Sequence, residues 1–129
     1  VEFCNENNVQ GVAYDRKFST YITPELIEHG IRMCDFGQGF YSMSYPTKTF
    51  EIELAKGNVI HGGHNLLRWQ FSCVHLKRDD ADNIKVVKHR RNSENDKVDA
   101  VVASIMALGQ FYADNQTETG DQLAEIINL

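Results

Sequence analysis

The 129-residue sequence is short of several things that would have assigned it quickly. It holds three cysteines, Cys4, Cys34 and Cys73, an odd number at wide spacing. That excludes a disulfide framework and a CxxC zinc motif, and it suits a reducing compartment. No apolar run approaches the length of a bilayer span, and no basic-then-apolar leader opens the chain, so no membrane partner is expected. The glycine-rich nucleotide loop GxxxxGK[ST] is absent, as are internal repeats and low-complexity tracts. Positive charge is scarce overall. The formal net charge is −5, which argues against a globally basic nucleic-acid binder. Histidines His61 and His64 flank two glycines, but no cysteine or acid stands at a metal-ligand offset from them, which disfavours zinc.

What is present is ordinary for a globular domain, with 42% hydrophobic and 24% charged residues, and the length suits one domain over residues 1–129. The charge is uneven. Lys85, Lys88, Arg90, Arg91 and Lys97 stand against only Glu94 and Asp96, a local +3 that leaves −8 for the remainder. Such a stripe is usually a solvated loop, yet it can meet a phosphate backbone.

The apolar run Val9 to Tyr14 reads as a short buried strand that Asp15 ends. Thr23 reads as an N-cap, Pro24 as the first residue of a helix reaching about His29, and Gly30 as its stop. Ile31 to Phe36 reads as a second strand. Strand, helix and strand at this spacing predict a parallel pair in an α/β fold. FGQGF, residues 36–40, reads as a turn rather than a phosphate loop. Pro46 is expected to open a helix running to Lys56, closed by Gly57, with a small extended piece over 58–61. Asn65 is expected to cap a helix whose Leu66, Trp69, Cys73 and Leu76 face the core. The segments HLK and NIKVVK, joined by RDDADN, suggest a hairpin. An apolar helix follows from Ala100 to Gly109, and a separate short one is expected over residues 121–127.

Two carboxylates carry the functional question. Asp15 sits beyond the carboxyl end of a strand, where α/β sheets gather ligands, though an aspartate there also simply starts turns. Asp96 and Asp99 have the spacing of a capping box before the apolar helix, and an acid in a first turn complements the helix dipole. Caps are common and sites are rare, which favours capping. Against that, Asp99 shares its helical flank with apolar Val102, Ala103 and Met106, so a covered flank would make an unpaired carboxylate costly. Two converging carboxylates suit a hard divalent ion, and two such ions can hold the attacking and leaving oxygens of a phosphodiester.

KVDAVVASIMALG, residues 97–109, resembles the C-terminal helix of the large terminase subunits of tailed double-stranded-DNA bacteriophages, in which a lysine, an apolar residue and an aspartate lead into a helix of small and apolar residues. GVAYDR, FGQGFYSMSYPTK and HGGHNLLRWQFSCV with KRDDADNIKVVK resemble further family stretches in the same order, from about Val9 to Gly109. The resemblance implies a nuclease domain with a ribonuclease H-like mixed sheet flanked by helices. It implies that Asp15 and Asp99 are catalytic metal ligands for Mg2+ or Mn2+, in two ions. It implies cleavage of concatemeric viral DNA during packaging, with double-stranded DNA, a motor ATPase domain, the small terminase subunit and the capsid portal as partners in the host cytoplasm. Lys88, Arg90 and Arg91 are assigned to DNA from their charge alone. The family also uses an acid on a first strand, with no counterpart upstream of Asp15, so an N-terminally incomplete copy without its ATPase domain is expected. Asp35 is a weak substitute. Cys73 stands where an asparagine is usual and Ala100 where a glycine is. A non-catalytic DNA-holding module of the packaging motor, or another ribonuclease H-like nuclease such as a resolvase, are the rival readings.

Overall fold

A computed structural model describes residues 1–90 and 94–127, without the side chains of Phe18 and of 117–127. A short helix α1 (Glu2–Glu6) precedes strand β1 (Val12–Tyr14). A single 3-10 turn, Arg16–Phe18, leads to α2 (Ile22–Glu28) and β2 (Met33–Asp35). Helices α3 (Phe40–Ala55) and α4 (Asn65–Ser72) follow, then strands β3 (Val74–Arg78) and β4 (Ile84–Lys88), then the long α5 (Asp99–Ile127). β1 and β2 pair in parallel with Tyr14 opposite Asp35, as the strand-helix-strand spacing predicts. β3 and β4 form the antiparallel hairpin read from the sequence. Among the described residues these are two separate two-stranded sheets rather than one. Helices flank them in a mixed α/β arrangement.

The core lies where α3 and α5 cross over the hairpin. Met43, Phe50, Val101, Ile105 and Met106 are buried there. Ala13, Phe36, Leu67, Phe71, Val74 and Val86 pack around them. Gly109 sets how closely the helices approach. A Cβ at that position would lie 2.8 Å from the Phe36 ring and 2.9 Å from the Pro46 Cβ. α2 and α3 stop where the sequence indicates, at Gly30 and Gly57, each with φ +76°. In both cases the two amides after the helix turn back to its last carbonyls, Gly30 to Ile27 and Ile31 to Leu26 for α2, a geometry that favours glycine.

Several local expectations fail for tertiary reasons. Pro46 does not open α3 but lies buried inside it, because Gly39 already provides the extended N-cap. Its ring fills the crossing beside Gly109, which offsets the lost amide bond to the Ser42 carbonyl. Thr23 is not the cap of α2. It lies within the helix and donates to the Ser19 carbonyl at 2.8 Å. No strand forms over 58–61. α4 buries a different face from the expected one. Leu67, Gln70 and Phe71 turn inward, while Leu66 and Trp69 are 52% and 42% exposed. The chain leaves α4 at Ser72, so Cys73 is buried just past the helix and Leu76 belongs to β3. The last two helices are one, since α5 continues unbroken through residues 121–127. No helix among the described residues is long and apolar enough to cross a membrane.

Candidate nuclease site

The first turn of α5 is organised from outside the helix. Ala100 donates its amide to Gln70 Oε1 at 2.7 Å, so a side chain of α4 supplies the N-terminal cap. Gln70 is only 6% exposed, which explains why a polar residue occupies the inner face of α4. Asp96, expected as the cap, is instead buried and accepts three hydrogen bonds from Arg90. They come from its backbone N and Nε at 3.1 Å and from Nη2 at 2.8 Å. Those bonds, chiefly the side-chain ones, hold the Asp96 carboxyl below the usual aspartate range, and the same pairing raises the Arg90 guanidinium.

Three residues on, Asp99 is in the opposite state. It is exposed, and among the described residues its carboxylate has no hydrogen bond and no ion pair. It opens into a cleft of about 390 Å³. The apolar wall is Val102, Ala103 and Met106, the flank that the helical spacing assigns to Asp99, so that flank borders an open cleft rather than a covered one. The opposite walls bring two polar groups from distant chain segments. Lys88 comes from the end of β4, and Gln38 from the loop between β2 and α3. Gln38 is braced by an Nε2 contact to Met106 Sδ at 3.5 Å. Gln38 was missed by the sequence reading, which took FGQGF only as a turn. Its flanking glycines were the available signal.

Asp15 is half-buried at the end of β1 and does not line that cleft. Its Oδ1 accepts the Lys17 amide at 3.0 Å and caps the 3-10 turn, while Asp35, one register step away on β2, pairs with Arg16. Lys88 and Asp99 are thus brought into one cleft. Arg90 is committed to Asp96 at its backbone and side chain, and Arg91 lies outside the described residues. Among the described residues, no group of three or more histidine, cysteine or acidic side chains is arranged to hold a metal ion. What the cleft offers a hard cation is one unpartnered carboxylate and one amide oxygen with open space around them, a donor set that fits magnesium, which binds through one or two carboxylates and keeps several waters.

The fold has a solved counterpart. The large terminase of bacteriophage HK97 superposes with a TM-score of 0.72 at 25% identity, over 84% of this chain and 22% of that one. In sequence, the chain is similar to Protein YmfN of Escherichia coli (strain K12), 27% identical over 92 residues, covering 71% of this chain and 20% of the relative. The chain thus spans about a fifth of the length of each. A family model for the endonuclease domain of the terminase large subunit matches residues 2–115. With nearly the whole chain matched and the fold shared, this protein belongs to the terminase large-subunit endonuclease-domain family.

Proposed function

We propose that this domain is a divalent-metal-dependent endodeoxyribonuclease that cuts concatemeric viral DNA during genome packaging. The observation that carries the reading is Asp99. A carboxylate without a protein partner among the described residues, at the mouth of an open cleft beside a lysine that has no ion pair among them, is free to hold a cation against a phosphate. Asp99 is the principal ligand and Gln38 offers an amide oxygen beside it, while Asp15, the second ligand that the family resemblance assigns, stands at the β1 end outside that cleft. Bound Mg2+ or Mn2+ would supply Lewis acidity toward the phosphodiester and a more acidic water. The chain's own part is positional. Gln70 and the Arg90–Asp96 pair fix the start of α5 so that Asp99 points into the cleft, and Lys88 draws the scissile phosphate toward it.

The family extends the reading to partners. Double-stranded DNA is the substrate, and a motor ATPase domain, the small terminase subunit and the capsid portal are the assembly in which the cut is made, in the cytoplasm of a bacterial host. The test is nicking of supercoiled plasmid by the protein with manganese, magnesium or a chelator. Metal-dependent nicking that disappears in Asp99→Asn is expected. Nicking that survives chelation, or that Asp99→Asn leaves undiminished, rejects the assignment.

A further inference from the structure

Two lysines outside the cleft are placed at a cost. Lys77 on β3 and Lys85 on β4 stand directly opposite one another in the hairpin register. Like charges in that position repel, and sheets normally avoid them or interleave an acid. No acid serves here. Among the described residues neither lysine has an ion pair, in a chain whose net charge is −5. Both ammonium groups instead gather over the ring of Phe40, at 6.0 Å for Lys77 and 5.0 Å for Lys85.

The cluster joins the cleft by two covalent routes. Phe40 is two residues after Gln38, and Lys85 is two residues before Val87 on the same face of β4. Gln38 and Val87 both line the cleft that holds Asp99. Lys88, three residues after Lys85, alternates to the opposite face. An anionic polymer that leaves the cleft past Val87 therefore meets the paired ammonium groups of Lys77 and Lys85 next. The hairpin tip sets the boundary, because it carries Asp79, Asp80 and Asp82, with Asp79 tied to Asn83 and Asp82 to Arg78.

We infer that Lys77 and Lys85, seated on Phe40, form a DNA-backbone rest that continues the Asp99 cleft along β4 and holds duplex flanking the cut. The inference rests on the nuclease reading for the identity of its partner, and binding separates the two. Anisotropy of a fluorescein-labelled DNA duplex, titrated with the protein in chelator over a range of salt, measures the rest without cleavage. Replacing both lysines by glutamine is expected to weaken binding about 10-fold at low salt and to flatten the salt slope by roughly 2. Replacing both by arginine is expected to retain affinity and slope, with a thermal melt confirming the fold of each variant. A parent that does not bind duplex, or a Lys77→Gln, Lys85→Gln protein that binds with the parent's affinity and slope, overturns the inference. Asp99→Asn, run in the same binding assay and in plasmid nicking, keeps the readings apart. Its continued cutting would defeat the nuclease assignment while the binding arm still decides the lysine pair.

Discussion

Asp96 and Asp99 are separated by one turn of chain and by everything else. Asp96 is buried, takes three hydrogen bonds from one arginine, and has its carboxyl held low by them. Asp99 is exposed and unpartnered among the described residues, facing a cleft rather than a neighbour. One acid has its electrostatics satisfied within the fold. The other is left open, the state that the proposed metal ligand requires. The difference teaches that the start of α5 is built in two layers, an inner clamp on the Arg90 side and an open cleft on the Lys88 side.

The comparison is broken most decisively by isosteric neutralisation. Asp99→Asn is expected to abolish metal-dependent nicking while moving stability by no more than about 0.5 kcal/mol, as for an exposed residue without partners. Asp96→Asn is expected to do the reverse in kind, lowering the denaturation midpoint, because it leaves the Arg90 donors short of acceptors. Equal loss of stability in both variants would erase the distinction. Gly109→Ala calibrates the scale, since it touches neither acid. Its methyl would meet Phe36 and Pro46 inside contact distance, and a loss of about 1–3 kcal/mol in chemical denaturation is expected.

A smaller effect probes the clamp itself. Gln70→Ala removes the cap on the Ala100 amide and is expected to cost about 0.5–2 kcal/mol, with nicking reduced through displacement of Asp99 rather than through loss of a ligand. A raised manganese requirement, at a temperature where the variant is fully folded, would show that displacement. The smallest effect is in acid. The folded-state value of Asp96 lies below its unfolded value, so the pair's stabilisation is fully present above the ordinary aspartate range near 4 and fades as pH falls through the folded value. The stability gap between the parent and Asp96→Asn should therefore close on acidification below about 4. A second carboxyl behaves in the same sense. Asp114, held to about 2 by Arg32 and Gln110, keeps its contribution to lower pH, so some acid sensitivity persists in Asp96→Asn.

Much of this was legible in one dimension. The flank Asp99–Val102–Ala103–Met106 follows from helical spacing and reappears as a cleft wall. The family resemblance, carried by four ordered stretches, is met by the match over residues 2–115. Legibility ended wherever a residue's partner is chosen by the fold rather than by a regular local spacing. A capping box and a buried ion pair use the same aspartate in sequence, and only Arg90 decides between them. Nothing in the local pattern marks Gln70 for the inner face of α4, and only the Ala100 amide against it accounts for its place there. Pro46 reads as a helix start until Gly109 makes room for it inside one.

By itself, then, the sequence determined what depends on neighbours in the chain: the glycine stops of α2 and α3, the parallel strand pair around α2, the hairpin, and which residues share a helical flank with Asp99. Those follow from backbone conformational limits and side-chain periodicity, which act over a few residues. The tertiary structure alone decided which acid is satisfied and which stays open, and it brought Gln38 and Lys88 to the open one. Hydrogen-bond satisfaction and charge pairing depend on distances through space, whether the partner lies six positions away, as Arg90 from Asp96, or thirty, as Gln70 from Ala100.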